Sequence, residues 1–234
     1  MAEFTGKAVL VTGAAGNLGR AVADVFGRAG ALLALLDRDE ARLEGIYGSP
    51  DGRFYAGADL TSADAVARAV DAVARNFGRL DVVANIAGGF SMGPPIHETP
   101  VEAWDLMMNL NARSAFYVCR AAIPHLLRTG GGAIVNVSAR AAREGKARMG
   151  PYCASKAAVI TLTETLAAEH RHAGIRVNCI LPGTIDTPEN RRDMPGADFS
   201  KWVAPAALAD VILFLASSGA RAISGASVPA YGES

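Results

Sequence analysis

Short, uniformly apolar runs recur along the chain: KAVLVTG (7–13), ALLALLD (31–37), RFYAGADL (53–60), LDVVANIAGG (80–89), GAIVNVSA (132–139) and IRVNCILPG (175–183). Between them lie longer stretches such as ADAVARAVDAVARNFG (63–78), where apolar residues return at i, i+3, i+4 and i+7. A run without alternation reads as a strand buried on both faces, and the longer period reads as an amphipathic helix. The pattern predicts an α/β protein, a single domain built on a doubly wound parallel sheet with helices on both faces. Gly30, Gly78 and Gly174 follow helical stretches where a left-handed cap is wanted, and each is succeeded by a strand.

Composition narrows the function more than the fold. The 234 residues suffice for one large core, and the balance of 23 basic and 23 acidic side chains provides no field to gather nucleic acid or an anionic membrane. Cys119, Cys153 and Cys179 sit in apolar patterns without metal-ligand spacing, and their odd number argues against a disulfide framework. They are expected to be reduced, and no metal site is expected. MAEFTGK opens the chain as a charged turn before the first strand, unlike a secretory signal, so cytoplasmic residence is expected. The segments 92–100 and 184–202 are long and Pro-bearing, as lids and binding loops are.

The first strand runs into TGAAGNLG (12–19) and then a helix. Such a turn brings backbone N–H groups and a positive helix end against a pyrophosphate. About 20 residues further on, Asp37 ends the second strand, where a carboxylate accepts from a ribose 2′-hydroxyl and repels a 2′-phosphate. This favours NAD, although Arg38 next to it leaves NADP possible. Asp59, at the end of the third apolar run, can reach an adenine amino group or cap the helix that follows.

Pro151 marks a first helical turn, which places Tyr152 and Lys156 at i and i+4 on one face. An ammonium about 4 Å from a phenol favours phenolate by up to roughly 4 kcal/mol at an effective dielectric near 20. The expectation is that Lys156 tunes Tyr152 down toward a general acid or base working near neutrality.

TGAAGNLG, NIAG (85–88), Asn111 seven residues after Trp104, YCASK (152–156) and PGTIDT (182–187) together resemble the classical short-chain dehydrogenase/reductase family over nearly the whole chain. The resemblance implies a Rossmann-type fold and a hydride transfer between nicotinamide and a small carbonyl or alcohol. It implies Tyr152 as proton donor and acceptor, Lys156 as its partner and ribose ligand, and Asn111 as the holder of a relay water. It also implies cofactor contacts from Gly13, Asn17, Leu18, Gly19, Leu60, Asn85, Ala87, Gly88, Pro182, Gly183, Ile185 and Thr187. Asn17 stands where the family carries its middle glycine. The helical stretches 101–128 and 151–172 resemble those paired across family interfaces, which implies a homodimer or homotetramer.

The family places a substrate-binding serine thirteen residues before the tyrosine, and Ala139 stands there; Ser138 is one residue early. Side chains alternate along a strand, so Ser138 points away from the site unless the strand end is bulged. Losing an oxyanion donor costs about 10²- to 10³-fold in rate. The segment 180–202, with AGGF (87–90) and Ala139, is similar to the dihydropteridine reductase branch, which implies a quinonoid pterin as an alternative substrate. A regulatory dinucleotide-binding protein without turnover is the other alternative. Phe90, Met92 and Trp202 could wall a flat ligand or simply pack. The basic run Arg140, Arg143, Lys146 and Arg148 reads as a solvated loop or an acidic-substrate clamp.

Overall fold

The computed structural model describes residues 3–50 and 52–233; Met1, Ala2, Asp51 and Ser234 lie outside it. Strands and helices alternate as the apolar runs predict: β1 (Ala8–Thr12), α1 (Asn17–Arg28), β2 (Leu32–Asp37), α2 (Glu40–Tyr47), β3 (Arg53–Gly57), α3 (Ala63–Phe77) and β4 (Val82–Asn85). Then come α4 (Val101–Met107), α5 (Ser114–Thr129), β5 (Gly132–Val137), α6 (Gly150–Glu169), β6 (Ile175–Pro182), α7 (Pro188–Asp193), α8 (Pro205–Ala216) and β7 (Ser227–Ala230).

The sheet has seven parallel strands in the order β3-β2-β1-β4-β5-β6-β7. Successive side chains leave opposite faces, which sorts the core in two. Val9, Val11, Leu35 and Val135 pack with Phe26 of α1 and Ile212 of α8; Leu10, Leu36 and Ile134 pack on the other side with Val70 of α3 and Val118 of α5. Strand order reverses between β1 and β4, and their carboxyl ends diverge there, the crevice in which open α/β sheets bind ligands.

Three sequence expectations need correction. β7 is a seventh strand, missed because SVPA carries an exposed proline among three half-buried residues instead of an apolar run. Proline is tolerated there because β7 is an edge strand. The helical stretch 101–128 is not one helix: α4 and α5 are joined by a π-helical turn, Met108–Arg113, whose wider hydrogen bonding has no residue signature. Asp59 does not cap α3, since the Ser62 hydroxyl accepts from the Ala65 N–H; Asp59 accepts from the N–H and hydroxyl of Thr61.

At the amino ends of the central strands, buried Asp81 fastens β1, β4 and β5. Its carboxylate accepts from the Ala8 N–H at 2.9 Å and from Arg79 at 2.7 and 2.8 Å, while its carbonyl accepts from the Ala133 N–H. Asp81→Ala orphans the Ala8 donor and is expected to cost about 1–3 kcal/mol. A thermal melt should register that as roughly 2–4 °C per kcal/mol for a chain of this size.

Candidate active site

The cofactor turn is built on backbone proximity. Gly13 has φ +64°, and a Cβ there would stand 2.8 Å from Ala87 Cα; a Cβ on Gly19 would stand 2.1 Å from the Gly13 carbonyl oxygen. The Thr12 hydroxyl accepts from the N–H groups of Ile86 and Ala87 at 3.1 and 3.2 Å, tying the ends of β1 and β4 together. Gly16 precedes α1 without a side-chain cap, and the first turn of α1 carries no acid, so its N–H groups and positive dipole end remain open to an anion. The Asp37 carboxylate accepts from the Ala15 N–H at 2.9 Å and the Arg38 N–H at 2.8 Å, which fixes it at the turn.

A cleft of about 400 Å³ runs along these groups. Of the residues expected at the cofactor, Gly13, Asn17, Leu18, Gly19, Asp37, Arg38, Asp59, Leu60, Ala87, Gly88, Ile185 and Thr187 line it. Asn85, Tyr152, Lys156, Pro182 and Gly183 do not. Buried Asn85 donates to the Asn136 side chain at 2.8 Å, and the Gly183 N–H reaches the Ala230 carbonyl, so both brace strand ends. Arg42, Ala58, Thr61, Ile86, Leu110 and Ser114 also line the cleft and were not foreseen. Arg42 lies in the first turn of α2, just after Asp37 at the end of β2, a usable signal; Leu110 and Ser114 reach the cleft through the π-helical turn.

Asn111 sits at the heart of that turn, 1% exposed. Its Oδ1 accepts from the Gly89 N–H at 2.9 Å, and its Nδ2 donates to the Gly89 carbonyl at 3.1 Å and to Ser155 Oγ at 3.0 Å. Ser155 in turn donates to the Tyr152 carbonyl at 2.8 Å. One amide thus couples the end of the fourth strand's loop to the turn of α6 that carries Tyr152. Lys156, on the next turn, donates from Nζ to the Val137 carbonyl at 2.9 Å. A Cβ on Gly88 would lie 2.7 Å from Asn111 Oδ1 and 3.0 Å from Lys156 Nζ, so these groups converge where the cleft meets α6.

Electrostatics in this pair run against the sequence expectation. Burial pushes the Tyr152 phenol up to about 12, with the neighbouring Cys153 adding to it. Burial also pulls Lys156 down to about 8. Desolvation disfavours the charged form of each group. The ring of Phe90 meets Tyr152 edge-on, with centroids 4.9 Å apart.

Ser138 continues the sheet ladder through its N–H to the Ile180 carbonyl, with no bulge, and its hydroxyl donates to the Lys156 carbonyl at 2.7 Å. The serine is spent on α6, and Ala139 occupies the following position, buried. In the basic run, Lys146 pairs with Glu144, Arg148 bonds the Gly93 carbonyl and Arg140 lies over the Tyr231 ring at 5.2 Å. Cys119, Cys153 and Cys179 are free thiols, and among the described residues no His, Cys, Asp and Glu cluster could hold a metal.

A cradle for a dinucleotide beside a tyrosine–lysine–asparagine cluster defines a nicotinamide-dependent oxidoreductase. A family model described as short chain dehydrogenase matches residues 7–196. The chain is 35% identical to D-threitol dehydrogenase of Mycolicibacterium smegmatis, over 96% of this chain and 91% of that protein. It is 34% identical to 2-(R)-hydroxypropyl-CoM dehydrogenase of Xanthobacter autotrophicus, over 95% and 96% of the two chains. The solved structure of NAD⁺-bound xylitol dehydrogenase superposes with a TM-score of 0.91 at 29% identity, covering 98% and 99%. The chain belongs to the short-chain dehydrogenase/reductase family and is an NAD(P)-dependent oxidoreductase.

Gly88→Ala would push the buried Asn111 and Lys156 side chains off their hydrogen bonds. If these groups do the chemistry, misplacing them by about 1 Å costs on the order of 10²-fold. The expected result is a loss of that size in kcat together with a lowered melting temperature, whereas an unchanged kcat would remove the cluster from the reaction.

Proposed function

We propose that the chain interconverts a small secondary alcohol and its ketone with NAD, Tyr152 moving the proton. The observation that carries this reading is the convergence of Asn111, Lys156 and Gly88 beneath the turn of α6 that bears Tyr152. The nicotinamide supplies and accepts the hydride. Tyr152, held protonated by burial, gives its phenolic proton to the carbonyl oxygen as the alcohol forms; in the reverse direction the phenolate accepts it. Lys156 holds the nicotinamide ribose and, as ammonium, stabilises the phenolate left behind. Asn111 positions the water that refills the proton, and Gly13, Asn17, Leu18 and Gly19 hold the pyrophosphate.

Asp37 supports a preference for NAD over NADP, because its fixed carboxylate stands in the cleft where a 2′-phosphate would come. Arg38 and Arg42 line the same end and temper that preference. Asp37→Ser should weaken NADH binding and tighten NADPH binding in fluorescence titrations; unchanged affinities for both would remove Asp37 from the choice.

Exposed Phe90, against the Tyr152 ring, and exposed Met92 on the same loop after β4 favour a substrate with an apolar or ring-bearing flank. A second reading, reduction of a quinonoid pterin, rests on Ala139 and on Ser138 being committed to Lys156, since no hydroxyl from that strand end is then available for an oxyanion. The dehydrogenase relatives favour the alcohol reading. We further propose a single domain over 1–234 with a lid at about 184–203, working in the cytoplasm with its thiols reduced. A homodimer or homotetramer is supported by Val101, Trp104, Leu106 and Phe116, apolar and exposed on α4, the π-helical turn's approach and α5. Among the described residues, no helix is long and apolar enough to cross a membrane.

Turnover with NADH or NAD⁺ over a panel of ketones, secondary alcohols and a quinonoid dihydropterin tests the reading. Tyr152→Phe should lower kcat by about 10²- to 10⁴-fold while NADH still binds. The pH profile carries its own sign. Reduction needs protonated Tyr152 and charged Lys156, so its rate should hold up to about pH 8 and fall above it as Lys156 loses its proton. Oxidation needs the phenolate, whose population grows with pH toward about 12, so that rate should rise with pH. A reductive rate that climbs through pH 8 would contradict the assignment.

A further inference from the structure

The loop between β6 and α8 is tied into one body by its own backbone and side chains. The Val203 N–H donates to the Thr184 carbonyl and the Asp186 N–H to the Val203 carbonyl, each at 2.9 Å, closing the base. Within the loop, Thr187 caps α7 through the Asn190 N–H at 3.1 Å, Asn190 Nδ2 donates to the Ile185 carbonyl at 2.8 Å, and Arg191 pairs with Asp186 at 2.5 and 2.7 Å. Ile185 and Thr187 therefore move with α7, and both line the cofactor cleft.

This body touches the far wall of the cleft at Asn17. Its Nδ2 donates to Glu189 Oε2 at 2.8 Å, joining residues 172 positions apart in the chain. Asn17 is the first residue of α1, at the uncapped positive end proposed to receive the pyrophosphate, and a glycine at this position could make no such bond. A carboxylate is favoured at that end. A dinucleotide lying between the turn and Thr187 would pass beneath the Asn17–Glu189 bridge to enter or leave.

We propose that Glu189 is a positioning residue whose bond to Asn17 latches the loop across the cleft, so that it sets the rate of dinucleotide exchange and the placement of Ile185 and Thr187. This rests on the cleft being the dinucleotide site. The latch lies across the way in and out of the cleft, so it slows entry as well as release, which separates it from a residue that merely binds the cofactor, whose loss would speed release alone.

The test follows NADH fluorescence by stopped flow in the wild type, Glu189→Ala, Glu189→Gln, Asn17→Ala and the Asn17/Glu189 double alanine variant. Hydrogen exchange of amides 185–193 in the nucleotide-free proteins is read alongside. Loss of one such hydrogen bond corresponds to about a three- to tenfold change in a rate it limits. Glu189→Ala should speed NADH release and association by that factor and quicken exchange in the loop. Glu189→Gln keeps an acceptor oxygen and should release NADH near the wild-type rate. In the nucleotide-free proteins, Asn17→Ala should quicken loop exchange as Glu189→Ala does, and the double variant no further, because the two side chains act through one bond. Unchanged release in Glu189→Ala, faster release without faster association, or loop exchange that quickens further in the double variant would each overturn the proposal. Failure of the dinucleotide reading itself would look different: wild-type protein would give no NADH signal, whatever the loop's exchange.

Discussion

The site depends on how closely backbones approach at the carboxyl edge of the sheet. The turn after β1 folds onto the start of α1 so tightly that a Cβ on Gly19 would overlap the Gly13 carbonyl, and Gly13 itself lies against Ala87 beyond β4. The Thr12 hydroxyl closes the same gap by taking two N–H groups from the β4 side. These contacts set the cleft's floor, aim the N–H groups of α1 into it and deliver Gly88 and Gly89 to Asn111. Cofactor and proton machinery are thus positioned by one piece of backbone geometry.

The second constraint is burial. Tyr152 and Lys156 were expected to form a charge pair in which the ammonium dominates. In the structure desolvation dominates both, and they shift in opposite directions, the phenol to about 12 and the ammonium to about 8. A buried tyrosine kept protonated is a ready acid for making an alcohol and a reluctant base for the reverse. A lysine near 8 remains largely charged at neutrality, as the proposed stabilisation of a transient phenolate requires. On that proposal, the direction that neutral pH favours is set by burial more than by the spacing of two residues along a helix.

Most of the fold could be read from the chain, because strands buried on both faces leave uninterrupted apolar runs and amphipathic helices leave a three-to-four period. The turn at 12–19, Asp37 and the pair at 152 and 156 were readable for a related reason: each depends on local spacing. What escaped depended on tertiary context. The π-helical turn that seats Asn111 has no residue code, β7 has an edge strand's weak pattern, and Leu110 and Ser114 reach the cleft only through that turn. The strand-period argument about Ser138 did anticipate geometry: its hydroxyl turns to the Lys156 carbonyl, and Ala139 takes the next position. The bond between Asn17 and Glu189 joins segments no local pattern connects.

The account stands on burial, not the neighbouring ammonium, setting the protonation of Tyr152. Carbon-13 NMR of protein labelled at tyrosine Cζ, with Tyr152→Phe to assign the resonance, reads that protonation directly across a pH series. The account predicts a Tyr152 signal that stays protonated well past neutrality and titrates toward about 12. A midpoint below the ordinary phenol value near 10 would mean that Lys156 governs the pair after all.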